Sequence, residues 1–210
     1  NYRKFPFENK KFRKALNLAI DRRQILQSIL LGFGKSGHAG YPHPASHWTR
    51  PEMQITHDTE QAKTILDELG LTDRNGDGFR DLPDGKPFEI TMTVASNEPD
   101  HLRAAEMLAP QFRRIGLKTR TRSIDPGSVK KYIVTMEFDI AIGHITPHIL
   151  SDPDQFVMSH KSGYLWKEGL PYPEMDALIE RWGKAETIEA RRAAAFDMQE
   201  FFNKYPTSLI

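Results

Sequence analysis

Two stretches of this sequence carry residues whose types and spacing could do chemistry. In the first, Asp73-Arg74-Asn75-Gly76-Asp77-Gly78-Phe79-Arg80-Asp81-Leu82-Pro83-Asp84, oxygen-bearing side chains fall at positions 1, 3, 5, 9 and 12. Gly78 sits at position 6, and Phe79 at position 7 would offer its carbonyl. A hard cation such as calcium wants this set, so Asp73, Asn75, Asp77, Phe79, Asp81 and Asp84 form a candidate structural calcium loop. Two features depart from the pattern: Asp84 stands where a bidentate Glu is usual, and a strand follows where a helix would. Asp, Asn and Gly are also what tight turns demand, so an acidic connection without an ion explains the same residues equally well.

The second stretch is Gly143-His144-Ile145-Thr146-Pro147-His148, closing at Asp152-Pro153. Phe138, Ile140 and Ile142 alternate around small Ala141 and predict a short buried strand that stops at Gly143. Pro147 removes a donor and restricts its predecessor, so His144, Thr146 and His148 are displayed on a loop at the strand's C-terminal end. In open α/β sheets that edge is where ligands sit. His144 and His148 are four apart, but Pro147 between them argues against the helix that a shared metal would need.

Other motifs carry less. Gly34-Lys35-Ser36 imitates the end of a phosphate loop without the upstream strand or the first glycine, and His38, His43 and His47 lie on a Gly- and Pro-rich loop that presets no ligand geometry. Neither a nucleophile elbow nor a His-Glu-x-x-His helix is present. The residues alone leave open a metal-dependent hydrolase using the loop histidines and a calcium-dependent interaction module.

The elements that must position these residues follow from periodicity and caps. Phe12, Ala15, Leu16 and Ala19 predict a helix from Asn9, and Asp21 with Gln24 and Asp58 with Gln61 read as capping boxes opening two more. The second helix ends at Gly32 and the third at Gly70. Phe88, Ile90, Met92 and Val94 alternate with Glu89, Thr91 and Thr93 as a half-buried strand. A helix follows between Pro99 and Gly116, with Pro110 as its kink, and then a strand over 117–123. Its outward Lys118, Arg120 and Arg122 suit an exposed sheet edge. A short helix over 129–134 leads to the 138–142 strand, and helices around Met175–Trp182 and Ala194–Tyr205 close the chain. The order predicts an α/β fold with a small mixed sheet flanked by helices and joined by crossovers.

Composition narrows the classes further. The 210 residues suffice for one large or two small cores, and charged (27%) and hydrophobic (39%) contents are those of a globular chain. Lys+Arg 29 against Asp+Glu 28 leaves +1, no global field to recruit nucleic acid. With Cys 0, thiol nucleophiles, disulfides and cysteine-ligated metals are excluded.

The element order resembles the family 5 extracellular solute-binding proteins of ABC importers. The residues carrying the resemblance are Phe12 to Arg22 with its Ala15-Leu16-Asn17-Leu18-Ala19-Ile20-Asp21-Arg22 string, the helix from Asp58 to Gly70, and Asp77-Gly78-Phe79-Arg80-Asp81 with Asp84-Gly85-Lys86-Pro87. Ile115-Gly116-Leu117, Phe138-Asp139-Ile140-Ala141 with Asp152-Pro153, and Tyr172 to Ile179 complete the set. The resemblance implies that residues 1–210 form one α/β lobe, the second large lobe of a two-lobed, class II periplasmic-binding-protein-like fold. The other lobe would come from sequence before Asn1 and after Ile210. It further implies a non-catalytic, monomeric protein outside the cytoplasmic membrane, periplasmic or at the cell surface. Such a protein needs no cofactor, captures a peptide or other small molecule in an interlobe cleft, and delivers it to an ABC permease.

By the same resemblance Gly143, His144, Ile145, Thr146, Pro147 and His148 face the cleft. Peptide-binding members carry Trp after this Gly and then an Asp that pairs with the peptide's amino terminus. Here His144 takes the Trp place and no acid appears before Asp152. An α-amino group buried without a carboxylate is poorly compensated, whereas His and Thr suit hydroxyls, carboxylates or a metal chelate.

Overall fold

The computed structural model describes residues 4–37, 44–51, 53, 55–143, 157, 160–162 and 172–209. Contacts gather in two compact units, one from Asn1–Gly34 with Thr56–His144 and one from Lys35–Ile55 with Ile145–Ile210.

In the first unit, α1 (Lys10–Ala19) starts where Asn9 Oδ1 accepts the Lys11 amide at 2.8 Å, and it buries Phe12, Ala15, Leu16 and Ala19. Helices α2 (Arg22–Ile29) and α3 (Thr59–Glu68) begin as expected, with Asp21 and Asp58 accepting the amides of Gln24 and Gln61. The reciprocal halves of the two boxes do not form. The Asp21 amide donates to Oε1 of buried Gln111, whose Nε2 in turn donates to Gln24, and the Asp58 amide donates to the Leu18 carbonyl of α1. Each cap amide is thus taken by a neighbouring element, and the local glutamine is released for other work. Burial lowers the Arg22 guanidinium to about 10, still a cation at neutral pH, while it donates to the Asn17 and Ile20 carbonyls at the α1–α2 corner.

Strands β1 (Glu89–Ala95), β2 (Lys118–Ile124) and β3 (Ile140–Ile142) form a sheet of order β2-β1-β3. All three run parallel, so the antiparallel member that a mixed sheet requires is not among the described strands. Helix α4 (Pro99–Arg114) connects β1 to β2, running through Pro110, and a 3-10 turn with α5 (Val129–Thr135) connects β2 to β3. A crossover on each side leaves β1 central. Its burial therefore differs from the expected half-buried pattern, because Ile90, Met92 and Val94 are buried on one face and Thr91 and Thr93 on the other. The threonine hydroxyls accept from Arg120 Nε at 3.0 Å and Arg122 Nη2 at 3.1 Å, so the basic row of β2 also roofs the central strand. Strand β3 is shorter than expected because buried Asp139 leaves the ladder: its carboxylate accepts the Thr91 amide at 2.8 Å and pairs with Lys4.

The second unit is built on α6 (Pro173–Lys184) and α7 (Ile188–Lys204). Met175, Ile179, Trp182, Ala194, Met198 and Phe202 pack with Trp48, Met53 and Val157 in one apolar cluster. Helix α7 starts earlier than the apolar spacing suggests, because Thr187 Oγ1 accepts the Ala190 amide at 3.1 Å and caps a first turn that is exposed. No helix among the described residues is long and apolar enough to cross a membrane.

Candidate functional site

Parallel strands put their C-terminal ends on one edge, and the strand order decides which loops meet there. From β1 the chain crosses to β2 on one side, then passes back over to β3 on the other. The C-terminal ends of β1 and β3 therefore lie side by side, on the edge at which α/β sheets bind ligands. The last paired residues there are Val94 with Ile142.

Beyond the end of β1 stand Ser96-Asn97-Glu98 and the first turn of α4. The Ser96 amide is tied to the Ile124 carbonyl at 2.8 Å and the Glu98 amide to Ala95 at 3.2 Å, so the loop is held at both neighbours. His101 Nδ1 faces Glu98 Oε2 at 4.0 Å. These residues escaped sequence reasoning, which read Pro99 only as a helix start. Their place depends on strand order, which no local pattern records.

Beyond the end of β3 comes Gly143, which is exposed, and a Cβ there would meet nothing within 4 Å among the described residues. His144, Ile145, Thr146, Pro147 and His148 lie outside the described residues. Of the three histidines on the 32–51 loop, His38 and His43 also lie outside, and His47 is exposed with its ring 4.8 Å from that of Trp48.

The acidic loop has a different occupation from the calcium reading. Asp73 accepts the amides of Gly76 at 2.7 Å and Gly78 at 2.9 Å, Asn75 that of Asp77, and Asp77 that of Phe79, each at 2.8 Å. Buried Asp81 accepts the Arg74 amide at 3.0 Å. Asp84 at position 12 is engaged by the Lys86 ammonium at 2.7 Å, and that hydrogen bond holds its carboxyl below the usual carboxylate range. Among the described residues no group of three or more His, Cys, Asp or Glu is placed to hold a metal ion. Nothing among the described residues supports the calcium assignment, and the loop is a run of Asx turns whose side chains accept the loop's own amides.

What this loop positions is Arg80. Its Nε donates to the Ile115 carbonyl at 2.7 Å, and its Nη1 to the Leu71 carbonyl and to Asp67 Oδ1, both at 2.5 Å. A cation thus sits on the carbonyl of Ile115, the C-cap of α4, and on that of Leu71 in the turn after α3. Gly116, at φ +80, is pressed so closely that a Cβ would come within 3.1 Å of the Arg80 side chain.

Comparison with known proteins places this geometry in context. The family model described as bacterial extracellular solute-binding proteins, family 5 Middle, matches residues 1–167. The oligopeptide-binding protein AppA of Bacillus subtilis (strain 168) is 26% identical over 207 residues, covering 94% of this chain and 37% of its own. Its crystal structure in complex with a nonapeptide superposes with a TM-score of 0.83 at 25% identity, covering 100% of this chain and 43% of that one. A mannohexaose-bound periplasmic oligopeptide-binding protein from Thermotoga maritima gives a TM-score of 0.85 at 21% identity, with 99% and 41% covered. The chain spans less than half the length of these relatives.

Proposed function

The chain belongs to the family 5 bacterial extracellular solute-binding proteins, and we propose that it forms one lobe of a two-lobed receptor that delivers a solute to an ABC permease. The observation that carries this reading is the shared C-terminal edge of β1 and β3, which supports Ser96–His101 as facing the ligand, while family membership supports Gly143–His148 as further binding candidates. The binding step is desolvation and hydrogen bonding of a small solute, with no reaction and no cofactor. Family membership supports a working place outside the cytoplasmic membrane, periplasmic or at the cell surface.

For the solute we favour a neutral, hydroxyl-rich or carboxylate-bearing compound over a peptide bound by its amino terminus. The relatives span both classes, since one structure holds a nonapeptide and another mannohexaose. In this chain His144 precedes a run with no acid before Asp152, and imidazole and the Thr146 hydroxyl suit hydroxyls or carboxylates better than a buried ammonium. The test is a binding screen of the full-length parent protein against mannohexaose, a nonapeptide and a nickel–histidine chelate, followed by His144→Ala and His101→Ala. Each substitution is expected to weaken the best binder by about tenfold, the loss of one good hydrogen bond in a desolvated site, with the melting temperature unchanged. Parent-like affinity in both variants would remove these residues as the site.

A further inference from the structure

The loop that positions Arg80 carries a covalent liability. Among Asn1, Asn9, Asn17, Asn75, Asn97 and Asn203, only Asn75 is followed by glycine. With no side chain on the following residue, the peptide nitrogen of an Asn-Gly pair meets little hindrance in reaching the asparagine's own amide carbon. In that step the Gly76 nitrogen gives up its proton and bonds to Asn75 Cγ, the Cγ–Nδ2 bond breaks, and Nδ2 leaves with the proton as ammonia. Water then opens the cyclic imide at one or other carbonyl, giving aspartate or isoaspartate. Asn75 and Gly76 are both exposed, so water reaches them.

The turn both demands this pair and restrains it. Gly76 stands at φ +79, where a side chain would be strained, and Asn75 Oδ1 accepts the Asp77 amide at 2.8 Å. The attacking nitrogen is held back by Asp73. The Gly76 amide donates to Asp73 Oδ1 at 2.7 Å, and removing its proton there would set an anion against a carboxylate. That charge-assisted bond has to break before attack. On the leaving side, Asn75 Nδ2 lies 3.5 Å from Oδ1 of buried Asp81.

We infer that Asn75 is this chain's site of spontaneous deamidation and that Asp73, by holding the Gly76 amide, sets its rate. The product disturbs the loop. Aspartate at this position places a carboxylate where Nδ2 now faces Asp81, and isoaspartate adds a methylene to the backbone shortly before Arg80. The inference goes beyond solute binding and uses no residue of Ser96–His101 or Gly143–His148.

The test is peptide mapping of the full-length parent protein held in mildly alkaline buffer, read on the Asn75–Arg80 segment that cleavage after Arg74 and Arg80 releases. Conversion is expected at Asn75 ahead of every other asparagine, and more slowly in the folded protein than in the same chain unfolded in urea. Asp73→Ala should speed it by about tenfold, the loss of one charge-assisted hydrogen bond that attack must otherwise break. Asp77→Ala is the control: it takes the partner of the Phe79 amide from the same loop and leaves the Gly76 amide on Asp73, so the rate should stay near the parent's. Should Asp73→Ala fail to fold, Asp73→Asn keeps a neutral acceptor and should give a smaller acceleration. Four results would overturn the proposal: equal rates in the folded and unfolded parent, an unchanged rate in the Asp73 variants, an equal acceleration by Asp77→Ala, which would assign the protection to the loop at large, or conversion led by another asparagine.

Discussion

Arg80→Ala is expected to lower the melting temperature by about 10 °C. The side chain is only 11% exposed, and its guanidinium serves Ile115, Leu71 and Asp67 together. Removing it strands the Ile115 and Leu71 carbonyls, and unmade buried hydrogen bonds cost about 1–3 kcal/mol each. The loss should total about 3 kcal/mol. Arg80→Lys should restore little of it, because an ammonium cannot span carbonyls that a planar fork reaches at once. Asp67→Asn is the control: that carboxylate is 59% exposed, so its ion pair with Arg80 is worth about 1 kcal/mol or less. Equal losses from Arg80→Ala and Asp67→Asn, measured by circular dichroism melting, would show that the helix-end carbonyls do not depend on the guanidinium.

A comparable loss is expected from Gln199→Leu in the second unit. Gln199 has no exposed surface, and its amide is fully used: Oε1 accepts the Arg50 amide at 2.9 Å, while Nε2 donates to the Trp48 carbonyl at 2.8 Å and to Ala195 at 3.0 Å. Leucine fills similar volume but leaves the Arg50 amide and Trp48 carbonyl without those partners, at a cost of about 2–4 kcal/mol. The readout is built in, since Trp48 and Trp182 both belong to this unit and their rings lie 5.2 Å apart. Emission from these indoles should reach its unfolding midpoint at clearly lower urea. An unchanged midpoint would mean that the 44–51 segment is held to α7 without the Gln199 amide, by apolar packing and the Arg50–Glu200 ion pair.

Much of this architecture can be read from the sequence because its signals are local. Asn9, Asp21 and Asp58 each cap the helix that follows, and the apolar spacing of α1, α3 and α4 faces the buried side. What escapes is long-range. Gln24 and Gln61 carry the signature of a reciprocal box, yet Gln111 and the Leu18 carbonyl reach the cap amides first, from elsewhere in the chain. Thr91 and Thr93 alternate like solvent-facing residues, and only the central place of β1 buries them. The acidic loop is the sharpest case. Its spacing fits a calcium loop and an Asx-turn run equally, and the choice rests on amide hydrogens that composition does not reveal. For the site, the end of the strand at Gly143 is legible in the sequence, whereas the place of Ser96–His101 at the C-terminal edge of the sheet beside β3 depends on strand order.

The central claim, that this chain is one half of a solute trap, predicts that binding depends on both lobes. A ligand can drive closure only if it prefers the closed state, so one lobe alone forfeits most of the affinity. Native mass spectrometry of the full-length parent beside the 210-residue chain, each purified without added solute, tests this most directly. The account predicts a small molecule carried by the parent and absent from the shorter chain, its mass giving the solute class. A solute held at full occupancy by residues 1–210 alone, or a stoichiometric transition metal retained there in its place, would contradict it.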